Sequence, residues 1–527
     1  MTLLRLDHLT VQIGKTPILR DVSLTLARGE ILGLVGESGS GKSMTALAIM
    51  GLLPDRARVS GDIILGGLNL RHRSEREMCQ LRGNDISMIF QEPMSALNPM
   101  MTIGDQVAET LMLHRRMLRS EARSIAREKL DRVGLRAPRF PLSLYPHELS
   151  GGQRQRVAIA MAIALHPKLL IADEPTTALD VTTQAEVLNL LRDLAREEGM
   201  ALILITHDLA VVAGMADRVA VMQAGQIVET APTRTLFQRP DAPYTQALLA
   251  AATHHPPLAA RPDAKPLLQV ENVTRLYRLP RPSAFAPHPE LRAVDDVSFT
   301  IHAGESLGLV GESGCGKSTL TRAILGLDAV QGGTIRLTGH PISPTMPRPQ
   351  RTDMQIVFQD PYGSFNPRQR VERLICEPFH LTGRPSDWRD RVAEALREVG
   401  LSPDDKSRFI HEFSGGQRQR IAIARALIIR PKLIVLDEAV SALDVQVRAQ
   451  VLDLLSYLQA THDLAYLFIS HDLSVVRAVT SRCLVMKAGK IVEEGPTEAL
   501  FTTPQNAYTQ TLIAATPRIP QHWKEPA

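Results

Sequence analysis

The chain repeats itself. GLVGESGSGKS at 33–43 returns as GLVGESGCGKS at 308–318, and SGGQRQR at 150–156 returns at 414–420. LIADE at 170–174 is answered by IVLDE at 434–438, and THDL at 206–209 by SHDL at 470–473. The tails match as well: QAGQIVE (223–229) with KAGKIVE (487–493), and Tyr244-Thr245 with Tyr508-Thr509. The offset is 275 between Lys42 and Lys317, and 264 from Ser150 and Ser414 through to the tails. Length differences are therefore confined to the front part of each copy. A solenoid repeats every ~20–50 residues, so this period means two copies of a whole domain. We expect the first over 1–252, a connector over 253–266 and the second over 267–520. The connector, THHPPLAARPDAKP at 253–266, is rich in proline, which stiffens a linker and blocks helix and sheet. His254 and His255 could bind metal, but no cysteine or acidic residue stands near them in sequence.

Each copy reads as α/β. ILGLVG and SLGLVG are short apolar runs ending in glycine, as expected of buried strands. SMTALAIMGLL and STLTRAILGL, just after the glycines, read as helices. LLIAD, LIVLD, ALILIT and AYLFIS read as further strands. Strands alternating with helical stretches imply a mainly parallel sheet.

Composition narrows the function classes. Hydrophobic residues make up 44% and charged residues 22% of the 527, which is ordinary for a globular chain with large cores. A net charge of +4 is too mild to argue for nucleic acid, and it is compatible with work beside an anionic membrane. No run approaches ~18 apolar residues, so no membrane span is expected. The first fifteen residues lack a long apolar segment, so no secretory leader is expected. Cys79, Cys315, Cys376 and Cys483 are scattered without a CxxC pair. That argues against disulfides or a zinc site and for a reducing compartment.

The chemistry starts at the glycine loops. Gly36, Glu37, Ser38, Gly39, Ser40, Gly41, Lys42 and Ser43 fit G-x-x-x-x-G-K-[ST]. So do Gly311, Glu312, Ser313, Gly314, Cys315, Gly316, Lys317 and Ser318, followed by Thr319. Glycines let the backbone curl so that several N–H groups converge on one phosphate, and the following helix adds its positive N-terminal end. Lys42 and Lys317 then reach the β- and γ-phosphates, and the Ser43 and Ser318 hydroxyls ligate Mg2+. Cys315 reads as a small loop residue. Asp173-Glu174 and Asp437-Glu438 close apolar strands, at the edge where α/β sheets bind ligands. The aspartates suit Mg2+, through water, and the glutamates suit a base that orients or deprotonates the attacking water.

Leu149-Ser-Gly-Gly-Gln153 resembles the LSGGQ signature of ATP-binding-cassette proteins, and Phe413-Ser-Gly-Gly-Gln417 is its near copy. Ser150, Gly151, Gly152 and Gln153, with Ser414, Gly415, Gly416 and Gln417, precede helices, and each helix N-terminus is a further anion site. The resemblance covers nearly the whole chain and implies a fold of two tandem P-loop NTPase domains, each with a helical subdomain. It implies that Gln91 and Gln359 sense Mg2+ and the attacking water, that Asp180 and Asp444 belong to D-loops, and that His207 and His471 bond the γ-phosphate. It also implies intramolecular pairing of the two cassettes, each signature serving the ATP held by the other half, at an effective concentration on the order of mM. Such proteins often stack adenine on an aromatic residue before the first loop. Tyr277 suits this in the second copy, where the first has Val11 and Ile13.

QEPMSALNP (91–99), QDPYGSFNP (359–367) and the tails at 236–251 and 501–516 resemble the oligopeptide, dipeptide and nickel branch of the importers. That implies an ATPase driving uptake of peptides, or of a related solute such as glutathione, across a bacterial inner membrane. Its partners would be two integral-membrane permeases and a periplasmic solute-binding protein, and it would sit peripherally at the cytoplasmic face. Some relatives carry an iron–sulfur cluster after the first tail; with no cysteine between Cys79 and Cys315, none is expected here. The alternative is a soluble twin-cassette ATPase acting on ribosomes or nucleic acid. A ribosome-acting protein would have a long charged helical linker, a DNA-repair one CxxC insertions, and an exporter its own membrane spans.

Overall fold

The structure, a computed structural model, describes residues 2–91, 96–177, 179–257, 265–279, 281, 288–360 and 363–523. Residues 258–264 of the expected connector lie outside them, as do 92–95 and 361–362 of the two segments that follow Gln91 and Gln359. The chain divides into two compact units. One comprises Met1–Leu179, Thr183–Thr253 and Pro517–Ala527; the other comprises Asp180–Thr182 and His254–Thr516.

In the first unit a six-stranded sheet runs in the order Gln226–Pro232, Arg218–Gln223, Ile31–Val35, Ala201–Ile205, Leu169–Asp173, Ile86–Ile89. Only the first pair is antiparallel; the other four pairings are parallel. Ile31–Val35, Leu169–Asp173 and Ala201–Ile205 are buried at every position, as expected of parallel strands covered on both faces. The second unit repeats this in the order Met354–Val357, Leu433–Asp437, Ala465–Ile469, Ser306–Val310, Arg482–Lys487, Lys490–Pro496.

Each unit also has a four-stranded antiparallel sheet that the sequence reading did not anticipate. In the first, Thr2–Ile13 pairs with Thr16–Ala27 and with Ala57–Leu65, and Leu68–Asn69 completes the edge. Its alternating Leu4, Leu6, Leu9, Val11, Leu24 and Leu26 face a core shared with the loop helix Lys42–Met50. The second unit builds the same sheet from Glu290–His302, Pro266–Arg278, Gly332–Leu337 and His340–Pro341.

A helical layer covers the other side of each parallel sheet. In the first unit Ile103, Val107 and Leu111 of helix Ile103–Arg115, with Ala122, Ala126 and Leu130 of helix Arg119–Arg132, form one buried face. The spacing of four places each set on one side of its helix. The second unit has shorter pieces here, Val371–Ile375 and Phe379–Thr382, before Trp388–Glu398. Pro378 stands between the two pieces, where a helix would need its N–H. Among the described residues, no helix is long and apolar enough to cross a membrane.

Candidate functional site

The carboxyl ends of the parallel strands bring the site together. The glycine loop follows Val35, the acidic pair closes Leu169–Asp173, His207 follows Ala201–Ile205, and Gln91 follows Ile86–Ile89. Ligands of open α/β sheets bind at this edge. The loop itself is tightly clamped. Gly36 adopts φ 151°, and a Cβ there would lie 2.1 Å from Met222 O; at Gly311, φ is 156° and the clash with Met486 O would be at 2.2 Å. Only glycine fits such a point. From the hairpin turn beyond Met222, the Gly225 N–H donates to Ser40 O at 2.9 Å; the Gly489 N–H donates to Cys315 O at 2.8 Å. Lys42 Nζ donates to Gly36 O and Glu37 O at 2.7 and 2.8 Å, and Lys317 Nζ to Gly311 O and Glu312 O at 2.7 and 2.9 Å. Both ammonium groups are thus held under their own loops, while Ser38, Gly39, Ser43, Ser313, Gly314 and Ser318 are exposed. Glu37 and Glu312 are half-buried, and Thr319 is half-buried behind Ser318. Gly41 and Gly316 cap the helices Lys42–Met50 and Lys317–Ile324 in left-handed conformation.

The two glutamates carry an unexpected feature. Glu174 and Glu438 have φ 46° and 50°, a region where a residue with a Cβ is strained by on the order of 1 kcal/mol. The Glu174 N–H still donates to Ile205 O, and the Glu438 N–H to Ile469 O, both at 2.9 Å. The strand thus keeps one last ladder bond and then turns sharply, presenting the carboxylate beside the histidine. His207 Nδ1 lies 3.1 Å from Glu174 Oε1, and His471 Nδ1 lies 3.0 Å from Glu438 Oε1. In the first unit Gln91 Nε2 and Thr177 Oγ1 also donate to Glu174 Oε2, at 2.9 and 3.0 Å. Gln359 makes no such bond to Glu438, and Ser441, at the position of Thr177, donates to the Glu438 backbone carbonyl instead. Burial pushes both glutamates up, but the histidine bond and charge outweigh it, so both titrate below the ordinary value. Burial likewise pushes His471 down, and the bond and charge of Glu438 more than reverse that.

Asp173 is 5% exposed, and its Oδ1 has no hydrogen-bond partner. Burial raises its carboxyl, with Glu174 adding, against a bond from Ser43 and the charge of Lys42. Asp437 is raised by burial and by Glu438, with only Lys317 opposing. A buried carboxylate oxygen without a partner beside a serine hydroxyl is a hard-oxygen seat that fits a divalent cation such as Mg2+.

The signature segments are reciprocal caps. Ser150 Oγ accepts the Gln153 N–H while Gln153 Oε1 accepts the Ser150 N–H, and Ser414 and Gln417 do the same. This capping box leaves the N–H groups of Gly151, Gly152, Gly415 and Gly416 in the first turn, without intrahelical partners. A Cβ on Gly152 would lie 2.3 Å from Thr183 Cγ2, and one on Gly416 would lie 2.2 Å from Val447 Cγ1. Gly152 and Gly416 are therefore favoured by packing, while Gly151 and Gly415 have room for a side chain. Asp180 Oδ1 accepts from Thr182 at 2.8 Å, and Asp444 stands at the residue before helix Val445–His462 without a side-chain bond to its first turn. Tyr277 carries the Arg275 guanidinium 4.8 Å from its ring centre and donates to Asp328, whereas Val11 is fully buried and offers no face. His254, which has no acidic neighbour in sequence, does have one in space: its Nε2 lies 2.5 Å from Asp453 Oδ1.

Sequence reasoning missed Thr177 as a partner of Glu174, and it noted Tyr244 and Tyr508 as matched without giving them a role. Their hydroxyls accept the N–H of Glu37 and Glu312 at 3.2 and 3.1 Å. The signal was present: both tyrosines recur at the constant offset of the signature motifs.

Comparison with known proteins agrees with this geometry. The ABC transporter family profile matches residues 19–177 and 294–441. The profile of the oligopeptide/dipeptide transporter C-terminal region matches 228–276 and 492–527. The chain is 50% identical over 513 residues to the peptidoglycan transport ATP-binding protein YejF of Agrobacterium fabrum, covering 96% of this chain and 94% of that one. It is 47% identical to the glutathione import ATP-binding protein GsiA of Shigella dysenteriae, over 95% and 87% of the two chains. It is 48% identical to the uncharacterized ABC transporter ATP-binding protein YejF of Escherichia coli, over 97% and 99%. The chain therefore belongs to the ABC transporter family, as an ATP-binding, ATP-hydrolysing subunit with two cassettes and two C-terminal regions of the oligopeptide/dipeptide type.

Proposed function

We propose that this chain powers import of peptides, or of a peptide-like solute such as glutathione, across a bacterial inner membrane. The observation that carries the reading is the pair of oligopeptide/dipeptide C-terminal regions, one after each cassette. The 47% identity to a glutathione importer subunit supports the same class of cargo. These features favour transport over the alternative of a soluble twin-cassette ATPase acting on ribosomes or nucleic acid. Permease subunits are its membrane partners; two of them, with a periplasmic solute-binding protein, complete the assembly we propose. The chain then sits at the cytoplasmic face, with cassettes over 1–252 and 267–520 joined by 253–266.

Within each cassette we assign the roles as follows. The loop N–H groups and Lys42 or Lys317 hold the phosphates. Glu174 and Glu438 take the proton of the attacking water, each kept ionised by its histidine. His207 and His471 hold the γ-phosphate as well as the glutamate. Gln91 and Gln359 orient the water. Ser43 with Asp173, and Ser318 with Asp437, would hold Mg2+, which neutralises phosphate charge when bound. Tyr277 offers its ring to adenine in the second cassette.

The test is co-purification from detergent-solubilised native membranes, followed by uptake in a strain lacking the chain. Two distinct multi-span permeases in equal amounts, with loss of uptake of labelled di- or tripeptide or of glutathione, are expected. Ribosomal or DNA-repair proteins without a permease would leave the ATPase standing and overturn the transport role.

A further inference from the structure

The glycine loops are held at one more point, from an unexpected direction. Tyr244 is the second residue of helix Pro243–Ala252, and Tyr508 is the second residue of helix Ala507–Ala515. Both helices belong to the tails, some two hundred residues after their loops. The Tyr244 hydroxyl accepts the Glu37 N–H at 3.2 Å, and the Tyr508 hydroxyl accepts the Glu312 N–H at 3.1 Å. Glu37 and Glu312 directly follow the glycines that Met222 O and Met486 O press against. The loop is thus gripped on one side by the hairpin and on the other by the tail helix.

The tail helix is itself fixed in place. Glu229 accepts the N–H groups of Asp241 and Ala242, both at 3.0 Å, just before the first helix starts. Glu493 accepts those of Gln505 and Asn506, at 2.7 and 3.1 Å, before the second. Each glutamate lies on the strand that returns from the hairpin turn touching the loop. In the second unit the Lys487 ammonium lies 4.5 Å from the Tyr508 ring centre, and burial pushes the phenol up to about 12, so it stays a neutral hydroxyl. The same bond occurs in both units, from tails that match in sequence. Tyr508 is buried and Tyr244 half-buried, and each hydroxyl ends on the corresponding loop amide, so the two occurrences of one geometry argue for use.

We propose that Tyr244 and Tyr508 are positioning residues of the phosphate loops, through which each C-terminal region sets the ATP affinity of its own cassette. The hydroxyl occupies the loop amide next to the first glycine. It thereby fixes the peptide plane at the loop's entry and leaves the later N–H groups aimed at the ligand. Without the oxygen, the Glu37 or Glu312 peptide can rotate, and the loop must be reordered each time nucleotide binds. The inference rests on the ATPase reading of the site and is independent of the cargo.

The test uses the full chain with Tyr244→Phe, Tyr508→Phe and both together, which remove one oxygen each and keep the ring packing. Steady-state ATP hydrolysis and displacement of a fluorescent ATP analogue are measured beside thermal unfolding. A rise in KM for ATP and a matching loss of affinity of about 3- to 10-fold is expected in the double variant. Each single variant should weaken one class of site, and kcat should stay within about twofold. A drop in unfolding temperature with KM unchanged would make the tyrosines merely structural and overturn the proposal. So would an unchanged KM with intact stability, or a loss confined to kcat. Absence of ATP hydrolysis in the parent chain would instead refute the ATPase reading, so the two failures are separable.

Discussion

The two cassettes share a loop, an acidic pair and a histidine, yet they hold their glutamates differently. Glu174 is fastened by three side chains: His207 on one oxygen, and Gln91 and Thr177 on the other. Glu438 has His471, while Gln359 leaves it and Ser441 bonds the backbone. The same asymmetry runs through the neighbours. Ser43 helps to hold the Asp173 carboxyl down against burial, whereas Ser318 has no such influence on Asp437. The shared parts are those we assign to binding and cutting a phosphate anhydride. The parts that differ would set how firmly the proposed base is oriented before water attacks. The two copies thus carry the same groups and differ in how those groups are held.

The largest expected effect tests whether this difference matters to turnover. Glu174→Gln and Glu438→Gln each remove a base, whose contribution is typically about 10²- to 10⁴-fold. The double variant should lose hydrolysis by that order while still binding ATP. Each single variant then reports how much of the rate the other cassette carries, and equal losses would mean that the extra bonds on Glu174 have no kinetic weight. Full turnover in the double variant would reject both assigned bases. Next come Lys42→Ala and Lys317→Ala. Each loses charge-assisted contacts of roughly 1.5–3 kcal/mol, or about 10- to 100-fold in nucleotide affinity. Equilibrium nucleotide binding checks this, and an unchanged affinity in either variant would remove that cassette from the set of active sites.

These functional groups were legible in the sequence because each sits in a short local motif. Loop, acidic pair and histidine are fixed by a strand's end and the residue or two beyond it. The antiparallel sheet was not legible, because register shifts break the alternation along its first hairpin and its third strand pairs across a long interval, Leu6 with Ile63 for example. The left-handed glutamates were hidden too, since nothing in Asp-Glu encodes φ above zero. The tail tyrosines act through contacts about two hundred residues apart in sequence, and Thr177, only three residues after Glu174, meets its carboxylate because of the left-handed turn there. The reciprocal caps, by contrast, are written in plain form as Ser-x-x-Gln, in the same residues that the family resemblance ties to phosphate.

A smaller effect should appear in the pH dependence of stability. The Glu438 carboxyl lies below its ordinary 4.5, so its share of the pair's stabilisation is present above 4.5 and lost as pH falls through the folded value. His471 lies above its ordinary 6.5, so its share is full below 6.5 and lost as pH rises through the folded value. Both groups are charged between those limits, where the second unit should be most stable. His471→Gln should flatten the decline on the alkaline side by on the order of 2 °C, the equivalent of up to about 1 kcal/mol for a unit of this size. Thermal melts from pH 5 to 9 decide it, and an unchanged alkaline slope would remove the Glu438–His471 pair from the stability of the second unit.

The smallest effect concerns the one residue that differs inside the loops, Ser40 against Cys315. Both are buried, at 4% and 6% exposure. Ser40 Oγ has no hydrogen-bond partner, a cost of about 1–3 kcal/mol for a buried hydroxyl. Cys315 Sγ lies 3.8 Å from Lys317 Nζ, and sulfur is cheaper to bury than oxygen. Burial also holds the thiol above its ordinary range, with Lys317 opposing, so it stays protonated and unreactive. Ser40→Cys should therefore leave ATP hydrolysis within about threefold and raise the unfolding temperature by roughly 2–4 °C, while Cys315→Ser should lower it by a similar amount. An alkylating reagent at neutral pH should modify the exposed Cys79 well before Cys315. If Cys315 reacts first, the loop opens far more readily than its clamps suggest, and the second cassette is then the looser of the two at the phosphate end as well as at the base.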